Sequence, residues 1–92
     1  MGLKFEWDKR KAAANLKKHG VSFEEAATAF GDPLSLTIPD PDHSIEEDRY
    51  LLVGVTSRRN LVVVAHTERN DTIRIVSARP ATAGERKNYE EG

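Results

Sequence analysis

Two hydrophobic periods divide the chain. Leu3-Lys4-Phe5-Glu6-Trp7 alternates and predicts a short first strand. Asp8 then stands as an N-cap for a helix from about Lys9 to His19, with Ala12, Leu16 and His19 on one stripe, and Ala13 beside it. Gly20 supplies the left-handed residue that ends it. Ser22-Phe23-Glu24-Glu25 reads as a capping box, so a second helix starts almost at once. Phe23, Ala26, Ala27 and Phe30 form its apolar face at helical spacing, and Val21 is placed to staple onto Ala26. Gly31-Asp32-Pro33 stops that helix.

Beyond residue 33 the period becomes two. Leu34–Ile38 and Asp48–Thr56 predict strands on either side of an acidic, Pro-containing loop over 39–47. Ser57-Arg58-Arg59-Asn60 is a turn. Leu61-Val62-Val63-Val64-Ala65 is apolar on both faces, as in a central strand. Asn70-Asp71 turns the chain into a β-branched strand over Thr72–Ala78, which Pro80 ends. Thr82-Ala83-Gly84-Glu85 is a second capping box, opening a last helix to about Glu90. The order β-α-α-β-β-β-β-α predicts an α+β fold, a helical hairpin packed on a mostly antiparallel sheet, with the first strand at an edge.

Composition narrows the class. The 92 residues fit one domain spanning 1–92. Hydrophobic residues are 38% and charged residues 32%, so the core is thin and a covering partner would help. The absence of cysteine excludes a disulfide framework and thiolate zinc sites. No apolar run approaches the ~20 residues of a membrane span, and the N-terminus lacks the apolar stretch of a secretion signal. A soluble, cytoplasmic protein that engages no membrane is expected.

The net charge of −1 conceals segregation. Residues 1–20 carry six basic and two acidic side chains; residues 21–48 carry eight acidic and no Lys or Arg; residues 49–92 carry eight basic and five acidic. Such asymmetry marks a chain to examine for a polyanionic ligand.

The candidate chemistry is basic: Lys18 and His19 at the end of the first helix, Arg49 opening a strand, and His66, Arg69 and Arg79 on the last two strands. RNA cleavage by transesterification needs a group to deprotonate a 2′-hydroxyl, cations to hold the phosphorane oxygens, and an acid for the 5′-oxygen. Histidine suits the proton roles near neutral pH, and arginine binds phosphate bidentately while staying charged. Plainer readings stand beside these. Lys17, Lys18 and His19 complement a helix dipole, Arg74 is placed to pair with Glu68 across the hairpin, Arg58-Arg59 is a solvated turn, and Trp7 is a core or interface aromatic. Alternation puts His66 with Val62 and Val64, and Arg79 with Ile73 and Ile75. A two-residue Asn70-Asp71 turn then brings His66 and Arg79 to one face, whereas a three-residue turn separates them. Asp40-x-Asp42-His43 offers hard-cation ligands but also reads as turn chemistry. No cofactor motif is present, and neither cofactor nor metal is expected.

Several stretches together resemble the BrnT family of bacterial toxins: Phe5-Glu6-Trp7-Asp8; Asn15-x-x-Lys18-His19-Gly20-Val21-x-Phe23-Glu24-Glu25-Ala26; Phe30, Asp32 and Pro33; Arg49 and Gly54; and Ser77-Ala78-Arg79-x-Ala81-Thr82-x-x-Glu85-Arg86, then Tyr89. The resemblance covers nearly the whole chain. It implies a fold similar to the RelE/ParE toxins and a ribonuclease that arrests translation. It also implies a neutralising BrnA-like antitoxin with a ribbon-helix-helix domain, hence a hetero-oligomer that meets DNA only through the antitoxin. The sequence departs from the family pattern at Pro80, Ala83 and Gly84, where basic residues are frequent, and at His66, where tyrosine is frequent. The residues carried over are Lys18, His19, Arg49, Arg69 and Arg79.

The expectation is a metal-independent endoribonuclease toxin. Arg79 and Arg69 bind the scissile phosphate, His19 or His66 moves protons, and Lys18 and Arg49 attract the RNA backbone. The alternatives are a non-catalytic RNA- or protein-binding module in a repressor complex, and a degenerate toxin kept as such a component.

Overall fold

The computed structural model describes residues 3–41 and 48–92. Five strands form one mixed sheet: β1 (Lys4–Glu6), β2 (Leu36–Pro39), β3 (Arg49–Val55), β4 (Leu61–Arg69) and β5 (Thr72–Pro80), in the order β1-β5-β4-β3-β2. The helices among the described residues are α1 (Lys9–His19), α2 (Phe23–Thr28), a 3-10 turn over Ala29–Gly31, and α3 (Ala83–Glu91). The element order agrees with the sequence pattern. The β2-β3-β4-β5 meander is antiparallel, and β1 joins β5 in parallel at the edge.

Local chemistry accounts for the helix boundaries. Asp8 Oδ1 accepts the N–H groups of Arg10 at 2.8 Å and Lys11 at 3.1 Å, and Gly20 closes α1 at φ 73°. Those two amides hold the Asp8 carboxyl below its ordinary value. Ser22 Oγ accepts the Glu25 N–H at 3.0 Å, which is half of the expected box. The Glu25 carboxylate instead bonds Thr56 and Asn60, both at 2.8 Å, tying α2 to the β3–β4 turn. The box at Thr82 is complete, with both reciprocal bonds formed.

The core lies between the helical pair and one sheet face. Val21, Phe23, Ala26 and Ala29 pack on Leu52, Val62, Val64, Ile73, Ile75 and Ala78. Trp7 meets Phe23 edge-on at 5.9 Å, in the core role expected of it. Burying Phe23 completely contributes about 2–3 kcal/mol. Gly54 sits where a Cβ would come within 3.0 Å of the Ala29 carbonyl oxygen, so its side-chain position is taken by the 3-10 turn. On α1 the buried residue is Asn15, with Leu16 half exposed. Of the expected stripe, Ala12 packs against the core, whereas Leu16 turns outward and Asn15 takes the inward position at the sheet edge.

Candidate active site

β1 pairs with residues 72–74 of β5, and among the described residues the edge beyond them has no strand neighbour. Asn15 covers it. Its Nδ2 donates to the carbonyls of Ala78 at 2.7 Å and Val21 at 2.9 Å, and its Oδ1 accepts the Ala78 N–H at 3.1 Å. The side chain thus substitutes for a strand and fixes the end of α1 against β5. Lys18 and His19 lie one helical turn beyond Asn15 on the same side of α1. Arg79 is the residue after Ala78. The Asn15 amide is what the reading of cations alone missed. Its sequence signal is a lone amide in the run Ala12-Ala13-Ala14-Asn15-Leu16.

Arg79 lies opposite Val63 on the sheet face away from α1 and α2. Its guanidinium meets Glu85 end-on, Nη1 to Oε1 and Nη2 to Oε2, both at 2.8 Å. Nη1 also donates to the Pro80 carbonyl at 3.3 Å. Of five guanidinium hydrogens, these bonds leave the Nε hydrogen and the second Nη2 hydrogen, which lie side by side as a second fork. The Arg79 side chain is 38% exposed. The Arg79 bonds, opposed by burial, draw the Glu85 carboxyl down to about 2, and the same carboxylate raises Arg79 above its ordinary value.

His66 does not join this site. The Asn70-Asp71 turn has the expected two residues, with Arg69 paired to Thr72. Only Asn70 takes a positive φ, 56°, where a type I′ turn needs both. Farther along, the register shifts: Ala65 pairs with Ser77 but His66 with Ile75, so Val76 is an extra residue. That β-bulge reverses the alternation. His66 and Arg79 therefore occupy opposite faces, correcting the one-face expectation. His66 is fully buried, edge-on to Phe30 at 4.8 Å and tilted against Tyr50 at 5.9 Å. Its Nδ1 lies 3.3 Å from the Val64 carbonyl oxygen; its Nε2 lies 3.4 Å from a Glu68 oxygen without hydrogen-bond geometry.

The remaining cations divide by position. Arg49 pairs with Thr67, and Arg69 is two residues farther along β4, so both lie on the Arg79 face near the opposite end. Six residues separate Val63 from Arg69, about 20 Å of strand. Arg69 and Arg79 are therefore not placed to hold one phosphate, which corrects the expected pair. Arg74 bonds Glu6 on parallel β1 at 2.9 Å, not Glu68. In the acidic segment, Asp32 accepts from Tyr89 Oη at 2.5 Å, Val55 N at 2.9 Å and Leu34 N at 2.9 Å. Burial pushes the Asp32 carboxyl up, but these three donors outweigh it and hold it below its ordinary value. Asp42 and His43 of the metal candidate lie outside the described residues.

A small α+β domain whose first helix ends in Lys17, Lys18 and His19 and is tied by Asn15 to the strand that carries the Glu85-paired Arg79 is the class the geometry defines. Residues 7–85 match the family described as the ribonuclease toxin BrnT of type II toxin–antitoxin systems. The chain belongs to that family and is a ribonuclease toxin. Its fold matches the crystal structure of the Brucella abortus ribonuclease toxin BrnT with a TM-score of 0.69 at 20% identity, covering 88% of this chain and 99% of that one. No curated protein matches the sequence. No helix among the described residues is long and apolar enough to cross a membrane.

Proposed function

We propose that this toxin is a metal-independent endoribonuclease with Arg79 at its centre. The observation that carries the reading is the part-exposed Arg79 guanidinium at the end of β5, whose bonds to Glu85 and Pro80 among the described residues leave the Nε–Nη2 fork, on the strand whose edge Asn15 ties to α1. A guanidinium fork matches two phosphate oxygens and keeps its charge at any working pH. It binds the scissile phosphate and stabilises the added charge of the phosphorane.

His19 takes the proton of the 2′-hydroxyl as its oxygen attacks phosphorus. The P–O5′ bond breaks, and the 5′-oxygen leaves with a proton drawn from solvent, giving a 2′,3′-cyclic phosphate and a 5′-hydroxyl. Lys18 adds attraction for the backbone on the helix side. Arg49 and Arg69, about 13–20 Å along the sheet, contact phosphates away from the scissile one. The partner is a BrnA-like ribbon-helix-helix antitoxin in the cytoplasm, with DNA reached only through it. The five-stranded α+β order supports kinship with the RelE/ParE toxins.

Cleavage of purified RNA in excess EDTA, by wild type and Arg79→Ala with folding verified, tests the reading. Wild-type cleavage with loss in the variant is expected. Equal cleavage by both removes Arg79 from the chemistry, and activity only with added metal overturns the metal-independent mechanism. RNA binding without cleavage under either condition favours the non-catalytic alternative.

A further inference from the structure

We propose that Glu85 is a positioning residue for Arg79, fixing the guanidinium plane so that its second fork faces the substrate. The proposal rests on the ribonuclease reading above.

Glu85 is itself held from two directions. Its Oε1 accepts the Thr82 N–H at 2.8 Å, and its own N–H donates to Thr82 Oγ1 at 3.2 Å. The first turn of α3 thereby orients the carboxylate, and the carboxylate orients the arginine. The end-on edge of the guanidinium goes to Glu85, while the Pro80 carbonyl takes the outer Nη1 hydrogen. A planar group restrained along that edge has its remaining fork in a defined direction. An unrestrained arginine loses much of its rotamer freedom on binding. The capping box thus reaches beyond α3, because the same carboxylate that caps the helix aims the cation.

Proton transfer is a poor role for this carboxylate. Its pairing holds it down to about 2, and a general base works best with a pKa near the operating pH. Glu85 is an anion throughout the neutral range, and its effect on cleavage runs through Arg79.

The test is single-turnover cleavage of purified RNA, in EDTA and with added magnesium, from pH 5 to 8. The proteins are wild type, Glu85→Gln, Thr82→Ala, Arg79→Ala and the Arg79→Ala/Glu85→Gln double variant. Glu85→Gln is expected to slow cleavage about 10- to 100-fold, as a misplaced binding group does, by the same factor at every pH. Thr82→Ala removes the side-chain cap but keeps the Thr82 N–H that holds Glu85 Oε1, so a loss clearly smaller than that of Glu85→Gln is expected. The double variant is expected to equal Arg79→Ala. A changed pH profile in Glu85→Gln, an equal loss in Thr82→Ala, or a further loss in the double variant overturns the positioning role. Full activity in Glu85→Gln with loss in Arg79→Ala overturns that role alone. Full activity in Arg79→Ala removes Arg79 from the chemistry and overturns the role with it, and a wild type that cleaves no RNA under either condition overturns the ribonuclease reading and the role together.

Discussion

The side-chain amide of Asn15 brackets the peptide group of Ala78, donating to its carbonyl and accepting its N–H. One polar residue on a helix thus closes the edge of β5 that β1 leaves uncovered, and it sets where the end of α1 sits relative to Arg79. Asn15→Ala leaves buried Ala78 and Val21 groups without their partner. At about 1–3 kcal/mol for each stranded group, the expected loss is about 2–4 kcal/mol by chemical denaturation. Asn15→Asp keeps the volume but loses the donor, so it is also expected to destabilise. Wild-type stability in both variants contradicts the bracket.

The Arg79–Glu85 pair makes stability depend on acid. The Glu85 carboxyl lies at about 2 when folded against an ordinary value of 4.5. A depressed folded value stabilises the protein above the unfolded pKa, and the contribution is lost as pH falls from about 4.5 through about 2. Partial exposure of both partners screens the pair, so about 1–2 kcal/mol is expected. Urea denaturation at pH 6 and pH 2.5 checks this. Wild type should lose more stability on acidification than Glu85→Gln, whose remaining loss comes from groups such as Glu25, held low chiefly by the Asn60 hydrogen bond despite burial, and Asp32. Equal losses contradict the assignment.

His66 is a core residue, and its replacement separates packing from chemistry. His66→Phe keeps a ring against Phe30 and Tyr50 and removes the buried Nε2. Stability is expected to stay within about 1 kcal/mol of wild type or to rise, with RNA cleavage unchanged. Loss of cleavage in a folded variant contradicts the placement of the proton-transfer group on α1.

Gly54→Ala tests how closely the 3-10 turn seats on β3. An added Cβ meets the Ala29 carbonyl oxygen at 3.0 Å and the Leu52 Cδ2 and Ser35 Cβ atoms at 3.2 Å. Two of these neighbours are backbone or backbone-anchored, so a loss of about 1–3 kcal/mol is expected from overpacking. A neutral change in melting temperature contradicts so close an approach.

Much of the fold was legible because it is local. The caps at Asp8, Ser22 and Thr82, the Gly20 terminus and the apolar run of β4 each follow from neighbouring residues, and each appears in its expected place. What was not legible is long-range. Arg74 turned to Glu6 because β1 lies parallel beside β5, a pairing between ends of the chain. The Val76 bulge reversed the register although the turn length was right, since nothing in Ile75-Val76-Ser77 breaks the alternation in sequence. Asn15 lies in a stretch that resembles the family, but nothing near it in sequence marks its role, because its partner is 63 residues away. The candidate site follows the same division: Asn15 ties the helix that ends in Lys18 and His19 to the strand that carries Arg79, whereas His66, Arg49 and Arg69 are set apart from Arg79 by register and strand length.

The most direct test of the central claim is the product of RNA cleavage by Arg79→Ala in excess EDTA. Wild type should yield fragments ending in 2′,3′-cyclic phosphate, and folded Arg79→Ala should yield about 100-fold less or none. Cyclic-phosphate fragments from the variant at the wild-type rate would contradict the account.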